Sequence, residues 1–164
     1  MQSRWRLIAA VAAVGIAAAV AVAAVGLAFG GRGGSSASKA GYEATVVNAR
    51  DRVDYALQRV TKSQSIPDLV QRLNDASNTV GGAAAELDQA KVANGFEAQN
   101  AQLVTALRAF STTLGNTANT FKDPALANSL TNMNSLSFPE WDQVNAILAE
   151  MKSKGIEVAL LARH

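Results

Sequence analysis

The stretch SIPDLVQRLNDASNTVGGAAAELDQA, residues 65–90, contains the pattern that decides the fold class of this chain. Its apolar residues recur every three or four positions, as they do along one face of an amphipathic helix. Ser65 is placed to cap such a helix, Pro67 fits its first turn, and Asp68 favours its positive end. The apolar stripe consists of Ile66, Leu69, Val70, Leu73, Ala76, Val80, Ala83, Leu87 and Ala90. The stretch therefore predicts a long helix with one buried side.

Two adjacent glycines, Gly81 and Gly82, lie inside this helix. Each weakens a helix by about 1 kcal/mol relative to alanine. We interpret the pair as a place where a neighbouring helix approaches closely, with a hinge as the alternative. Asn94-Gly95 provides the expected stop.

The same periodicity continues on both sides of this helix. The preceding stripe consists of Tyr42, Val46, Ala49, Val53, Ala56, Leu57 and Val60. The following stripe consists of Phe96, Leu103, Leu107, Phe110, Leu114, Thr117 and Phe121. Asn100 takes an apolar position between Phe96 and Leu103, where it fixes the helix register if it is buried, or else faces solvent.

Two further helices are expected towards the C-terminus. A shorter one opens at Asp123-Pro124, with Leu126, Leu130 and Met133 on its inner side. The last one starts at Ser137-Phe138-Pro139-Glu140, where serine, proline and acid stand as a capping box favours. It runs to about Lys154, and Gly155 ends it. Its buried residues are expected to be Trp141, Val144, Ile147, Leu148 and Met151.

Residues 41–155 are therefore predicted to form an all-α, antiparallel bundle of about four to five helices. Alternation with a period of two is nearly absent, which disfavours a domain with strands. The roughly 125 residues that follow the tether are enough to bury a core of their own.

The N-terminal segment from Leu7 to Phe29 reads LIAAVAAVGIAAAVAVAAVGLAF and has no charged side chain. Its length matches that of a helix crossing a hydrocarbon core of about 30 Å. We predict a single transmembrane anchor at 7–29, behind a cytoplasmic stub at 1–6. The alternative is a cleaved signal peptide, whose apolar core is normally shorter.

The expected location follows from this anchor. Residues 30–40 are rich in glycine and serine and read as a tether. A short stub before the span and a long domain after it fit a signal-anchor, with a slight excess of positive charge on the cytoplasmic side. We therefore expect a single-pass protein of the plasma membrane with its C-terminal domain outside the cytoplasm, in contact with the bilayer through 7–29.

The charge distribution disfavours a nucleic-acid partner. The formal net charge of the chain is +2, but four basic residues flank the apolar segment: Arg4, Arg6, Arg32 and Lys39. Residues 40–164 then carry about −2, whereas a nucleic-acid domain shows a concentrated basic face. The chain also has no cysteine, so stability outside the cell depends on packing and not on disulfides.

No set of residues with catalytic or metal-binding spacing stands out. The single histidine is His164, at the end of the chain. Asp51 and Asp54 share a helix face surrounded by arginines, and Glu86 and Asp88 point in different directions, so these carboxylates and Glu97 are interpreted as a solvated surface. We expect neither enzymatic activity, nor a cofactor, nor a metal.

Two sets of residues have a second interpretation as binding residues. Tyr42, Tyr55 and Trp141 are expected in or near the core, although they could line a ligand groove. The stripe Arg52, Arg59 and Lys62 is interpreted as a solvated helix face, with lipid headgroups or an acidic polymer as the alternative partners.

The apolar tail, residues 156–164, follows the last helix. It is interpreted either as an extension packed on the bundle or as a docking segment for an envelope or membrane protein. Its candidate docking residues are Ile156, Val158, Leu160 and Leu161. The leading functional hypothesis is a non-enzymatic accessory subunit or scaffold of an envelope membrane-protein complex. The alternative is a bundle that holds a lipid-like or small apolar ligand, with Gly81-Gly82 providing the space.

Overall fold

The structure is a computed structural model that describes residues 37–123 and 136–163. Within these two ranges the chain forms four helices and no strand, which confirms the all-α fold class. The helices are α1 (Lys39–Thr61), α2 (Ile66–Gln89), α3 (Glu97–Phe121) and α4 (Pro139–Ser153). None of the four is both long enough and apolar enough to cross a membrane. The predicted anchor at 7–29 and the short helix expected after Asp123 lie outside the described residues.

Successive helices run antiparallel, as the pairing of their side chains shows. Between α1 and α2, Arg52 pairs with Glu86, and Arg59 lies 4.0 Å from Asp75. Similar crossings join α2 to α3 (Asp88 to Arg108, Ser77 to Ser111) and α3 to α4 (Gln99 to Glu150, Thr113 to Glu140). In each pair of contacts, the residue number rises along one helix as it falls along the next. The described helices therefore form an antiparallel bundle.

The start of α2 agrees with the prediction from the sequence, whereas its end does not. At the start, the Ser65 hydroxyl accepts a hydrogen bond from the Asp68 amide at 3.3 Å, as the capping pattern predicts. At the end, the helix stops at Gln89, several residues before the expected stop at Asn94-Gly95. The reason lies in α3, because the side-chain nitrogen of Asn100 donates to the Leu87 carbonyl at 3.0 Å and helps to satisfy it where the helix ends. Gly95, with φ +85°, instead forms the turn into α3.

The start of α4 is in the predicted place, but its cap is not. The residue at the cap position is Phe138, and no side-chain oxygen binds the first-turn amides. Pro139 occupies the first turn and fixes this register, which leaves Ser137 one residue too early to act as the cap. The Glu140 carboxylate is also used elsewhere, since it accepts a hydrogen bond from the Thr113 hydroxyl on α3 at 2.6 Å. Gly155, with φ +93°, follows the end of the helix as expected.

The predicted apolar stripes form most of the core. Most of their described members are buried, and Phe110, Leu73 and Met151 are fully enclosed. Where the four helices and the tail meet around Val53, the remaining space is about 10 Å³, near the lower limit for a single water molecule. The bundle is thus close-packed at this point, with no room there for a ligand.

Candidate functional site

The largest cavity described is an open pocket of about 410 Å³ at one end of the bundle. It lies between the end of α1, the start of α2 and the start of α4. The described residues that line it are Leu57, Val60, Thr61, Ser63, Leu69, Leu136, Ser137, Phe138, Trp141, Asp142 and Arg163. Ligand pockets commonly combine apolar and aromatic walls with a few polar groups, and this set of residues has that composition.

One wall of the pocket is aromatic and is supported from behind. The buried Phe110 of α3 packs against Phe138, with ring centroids 5.6 Å apart, and against Trp141, at 6.3 Å. Both distances lie in the range of favourable tilted ring pairs. Trp141 is only partly buried, so it belongs to the core edge and to the pocket at once. The predicted near-core position of Trp141 is confirmed.

The polar groups of the pocket are hydroxyls and one ion pair. The Thr61 hydroxyl donates to the Gln58 carbonyl at 2.9 Å, and the Ser63 hydroxyl donates to the Val60 carbonyl at 2.6 Å. Their oxygens keep lone pairs that can accept a hydrogen bond. Arg163 and Asp142 form an exposed ion pair at 2.7 Å. Because these two charges oppose each other, the described lining has no net charge.

The C-terminal tail lies on the bundle, as one of its two interpretations expects. Ile156, Val158 and Leu161 are buried in the core, whereas Leu160 is 45% exposed. A partner can therefore reach Leu160 while the tail stays in place, but not the other three candidate docking residues. Docking through these residues stays a prediction.

Side chains of α1 and α4 hold the tail by its backbone. Asn145 on α4 binds both groups of Leu161: its oxygen accepts from the amide at 2.7 Å and its nitrogen donates to the carbonyl at 3.2 Å. From α1, Arg50 donates to the Leu160 carbonyl at 3.2 Å, and the Asp54 carboxylate accepts from the Ala162 amide at 2.8 Å. These backbone groups of the tail are thus satisfied by side chains and not by a strand, which explains how the segment packs on an all-α domain.

The carboxylates considered as catalytic candidates are engaged in surface contacts. Arg50 lies 2.8 Å from Asp51 and 3.9 Å from Asp54. Glu86 pairs with Arg52 on α1 and Asp88 with Arg108 on α3, so the structure separates them as expected. Glu97 accepts a hydrogen bond from the Gly95 amide at 2.9 Å. Within residues 37–123 and 136–163, no three histidine or acidic side chains are grouped as metal ligands would be.

Asn100 is buried and joins three helices. Its side-chain oxygen accepts a hydrogen bond from the Tyr42 hydroxyl at 2.9 Å, while its nitrogen donates to the Leu87 carbonyl. Burial raises the pKa of Tyr42 well above its ordinary value, and the nearby Glu97 carboxylate adds to this effect. Asn100 therefore fixes the register of α3 against α1 and α2. The interpretation of Tyr42 as a core residue is confirmed.

The predictions for Tyr55, the arginine stripe and the glycine pair had different outcomes. Tyr55 is 63% exposed, so its expected place in or near the core is wrong. Arg52 and Arg59 both face acids of α2, which supports a charge-balanced surface. A Cβ atom on Gly81 would stand 3.0 Å from the Ser111 hydroxyl, which confirms a close helix approach there. The Ser111 side chain thus occupies the space beside Gly81, whereas nothing lies within 4 Å of a Cβ on Gly82.

The pocket as a whole was not predicted from the sequence, although Trp141 was considered there as a residue of a ligand groove. Its lining comes from three distant parts of the chain, around residues 57–69, 136–142 and 163. No periodicity or motif connects these parts, and Phe138 stood out only as a part of a helix start. Residues brought together by the tertiary fold alone give no signal in the sequence.

Comparisons with models of protein families, with curated proteins and with solved structures found no match to this chain.

Proposed function

We propose that this chain is a membrane-anchored, non-enzymatic protein whose helical domain lies outside the cytoplasm and serves as an accessory subunit or scaffold of an envelope membrane-protein complex. The observation that supports this proposal most strongly is the order of the segments along the chain. An uncharged apolar stretch at 7–29 and a glycine-rich tether precede a domain that has its own core. A tethered domain of this kind stays close to other membrane proteins and meets them at a high effective concentration.

The surface chemistry of the domain agrees with a binding role. Acidic side chains on α1 and α2 are paired with arginines, which leaves a charge-balanced surface there. Tyr55 and Leu160 are the large apolar side chains that the described surface exposes most. Aromatic residues are enriched where binding energy concentrates in interfaces. We propose Leu160 as the docking residue of the tail, since it is reachable without unfolding.

The test is affinity purification of the full chain from native membranes, followed by identification of the co-purifying proteins. Leu160→Asp is the test variant, and Thr112→Asp, at an exposed position of α3, is the matched control. We expect a stoichiometric partner with the wild type and the control and its loss with Leu160→Asp. A clean purification of a lone chain counts against the accessory function. A partner that Leu160→Asp retains counts against the docking residue alone.

A second candidate function is a binding module for a lipid-like or small apolar ligand. The pocket of about 410 Å³ favours it, with a volume inside the range of known small-molecule sites. Mass spectrometry of the gently purified full chain tests it by searching for a co-purifying molecule. A consistently empty protein speaks against this function.

A further inference from the structure

We infer that the pocket between the end of α1 and the start of α4 binds a small, uncharged molecule with an apolar body, which lies against Phe138 and Trp141. This inference rests on the second candidate function and gives it a location and a ligand class. The site lies at the end of the bundle and takes no space from the core.

The size of the pocket limits the ligand. Small-molecule sites span about 300–1,000 Å³, and this one, at about 410 Å³, lies near the lower limit. It fits one small ring system or a short aliphatic chain better than a complete two-chain lipid. The pocket is also open on one side, so a longer ligand would leave its remainder in solvent.

The lining disfavours a ligand with a charged body. Asp142 and Arg163 are 2.7 Å apart and neutralise each other, and no other described lining residue is charged. Moving an ion against Leu57, Leu69 and Trp141 without an opposite charge would be unfavourable, because the ion would lose part of its hydration. The hydroxyl oxygens of Thr61 and Ser63 still offer acceptors for one polar group of the ligand.

The aromatic wall is preformed, which favours binding. Phe110 is fully buried and supports both Phe138 and Trp141 from the core side. Few side chains then need to be ordered when a ligand enters, so less of the binding energy is lost to entropy.

Trp141 makes the inference testable by fluorescence. The chain has two tryptophans, and Trp5→Phe leaves Trp141 as the sole donor. The full chain with this substitution is reconstituted into phosphatidylcholine vesicles and titrated with N-phenyl-1-naphthylamine, an uncharged apolar probe. Energy transfer from Trp141 reports the bound probe, and protein-free vesicles measure partition of the probe into lipid.

Two variants in the same background separate the pocket from the rest of the surface. Thr61 is an exposed residue of the pocket lining, so Thr61→Phe is expected to occupy part of the pocket without disturbing the core. Thr112→Phe is the control, because Thr112 is also exposed and its hydroxyl also bonds back along its helix. Thermal unfolding followed by circular dichroism is the control that checks whether both variants keep the fold.

We expect saturable energy transfer that Thr61→Phe weakens at least tenfold and Thr112→Phe leaves unchanged. Transfer that rises only in proportion to the probe in lipid, or that is equal in both variants, overturns the inference. Failure of this pocket inference can be distinguished from failure of the second candidate function, the binding module. A co-purifying ligand that Thr61→Phe retains would leave the function standing at another site. If the pocket inference fails, a protein partner found in native membranes would still support the accessory role.

Discussion

Ser77 and Ser111 exchange hydrogen bonds across the contact of α2 with α3, each hydroxyl donating to the other residue's carbonyl at 2.8 Å. A glycine follows each serine by one helical turn. A Cβ on Gly81 would meet the Ser111 hydroxyl at 3.0 Å, and one on Gly115 would meet the Ser77 hydroxyl at 3.3 Å. The two helices therefore approach through matched serine and glycine positions, and the reciprocal bonds satisfy both hydroxyls within the contact.

The neighbouring glycines of α2 are expected to respond in opposite ways to alanine. Gly82 has nothing within 4 Å of its Cβ position, so Gly82→Ala should raise the free energy of unfolding by about 0.5–1 kcal/mol. Gly81→Ala displaces the Ser111 hydroxyl and its bond to Ser77, each such bond contributing about 0.5–1.5 kcal/mol. We expect it to lower stability relative to the wild type in urea unfolding. Equal stabilisation by both substitutions would show that the helices separate easily at Ser111.

The hydrogen bond from Tyr42 to Asn100 should contribute stability that is lost at alkaline pH. Tyr42→Phe leaves the Asn100 oxygen without its donor in a buried site, at a cost of about 1–3 kcal/mol. Burial raises the pKa of Tyr42 in the folded state above its ordinary value of 10.0. Above about pH 10 the unfolded chain therefore loses a proton that the folded chain retains, and the wild type loses stability that Tyr42→Phe keeps.

Urea unfolding of the two proteins between pH 7 and pH 11 checks this relation. The difference in free energy of unfolding between wild type and Tyr42→Phe should stay constant up to about pH 10 and then narrow. The comparison cancels the other groups that titrate in this range, because both proteins contain them. A constant difference up to pH 11 would mean that Tyr42 ionises in the folded state as easily as in the unfolded one.

Local patterns of the sequence predicted the helices well, because the apolar stripes reflect burial on one face and need no knowledge of the partner. Ser65 and Pro67 mark the start of α2 in the same way. The early end of α2 was not predictable, since it depends on Asn100 reaching Leu87 from another helix. The same holds for the tail, whose backbone groups find side chains such as Asn145. Tyr55 was misplaced because an aromatic side chain on a helix can face either side.

The start of α2 should respond to acid through Asp68. The hydrogen bond from Arg72 at 2.7 Å, followed by that from the Gln64 amide, holds the pKa of Asp68 below its usual value of 3.8. A carboxylate whose pKa falls on folding contributes stability above its unfolded pKa, and this contribution is lost as the pH falls through the folded pKa. Asp68→Asn should therefore melt at a lower temperature than the wild type at pH 6. The two melting temperatures should converge as the pH drops below about 4, and a gap that persists in acid would assign the effect to the backbone geometry instead.

Leu160 and Leu161 are adjacent in the tail and have opposite surroundings, which makes them a matched test of its structural role. Leu161 is buried and its backbone is held by Asn145, so Leu161→Ala should lower the free energy of unfolding by about 2–5 kcal/mol. Leu160 is exposed, and Leu160→Ala should stay within about 0.5 kcal/mol of the wild type. Hydrogen exchange at residues 157–162 should become faster in the first variant only.

If Leu161→Ala is as stable as the wild type, the tail does not belong to the core and is free to dock elsewhere. If it is destabilised, shortening the chain at Gly155 removes core residues, and loss of a partner from such a truncation would reflect unfolding and not a lost contact.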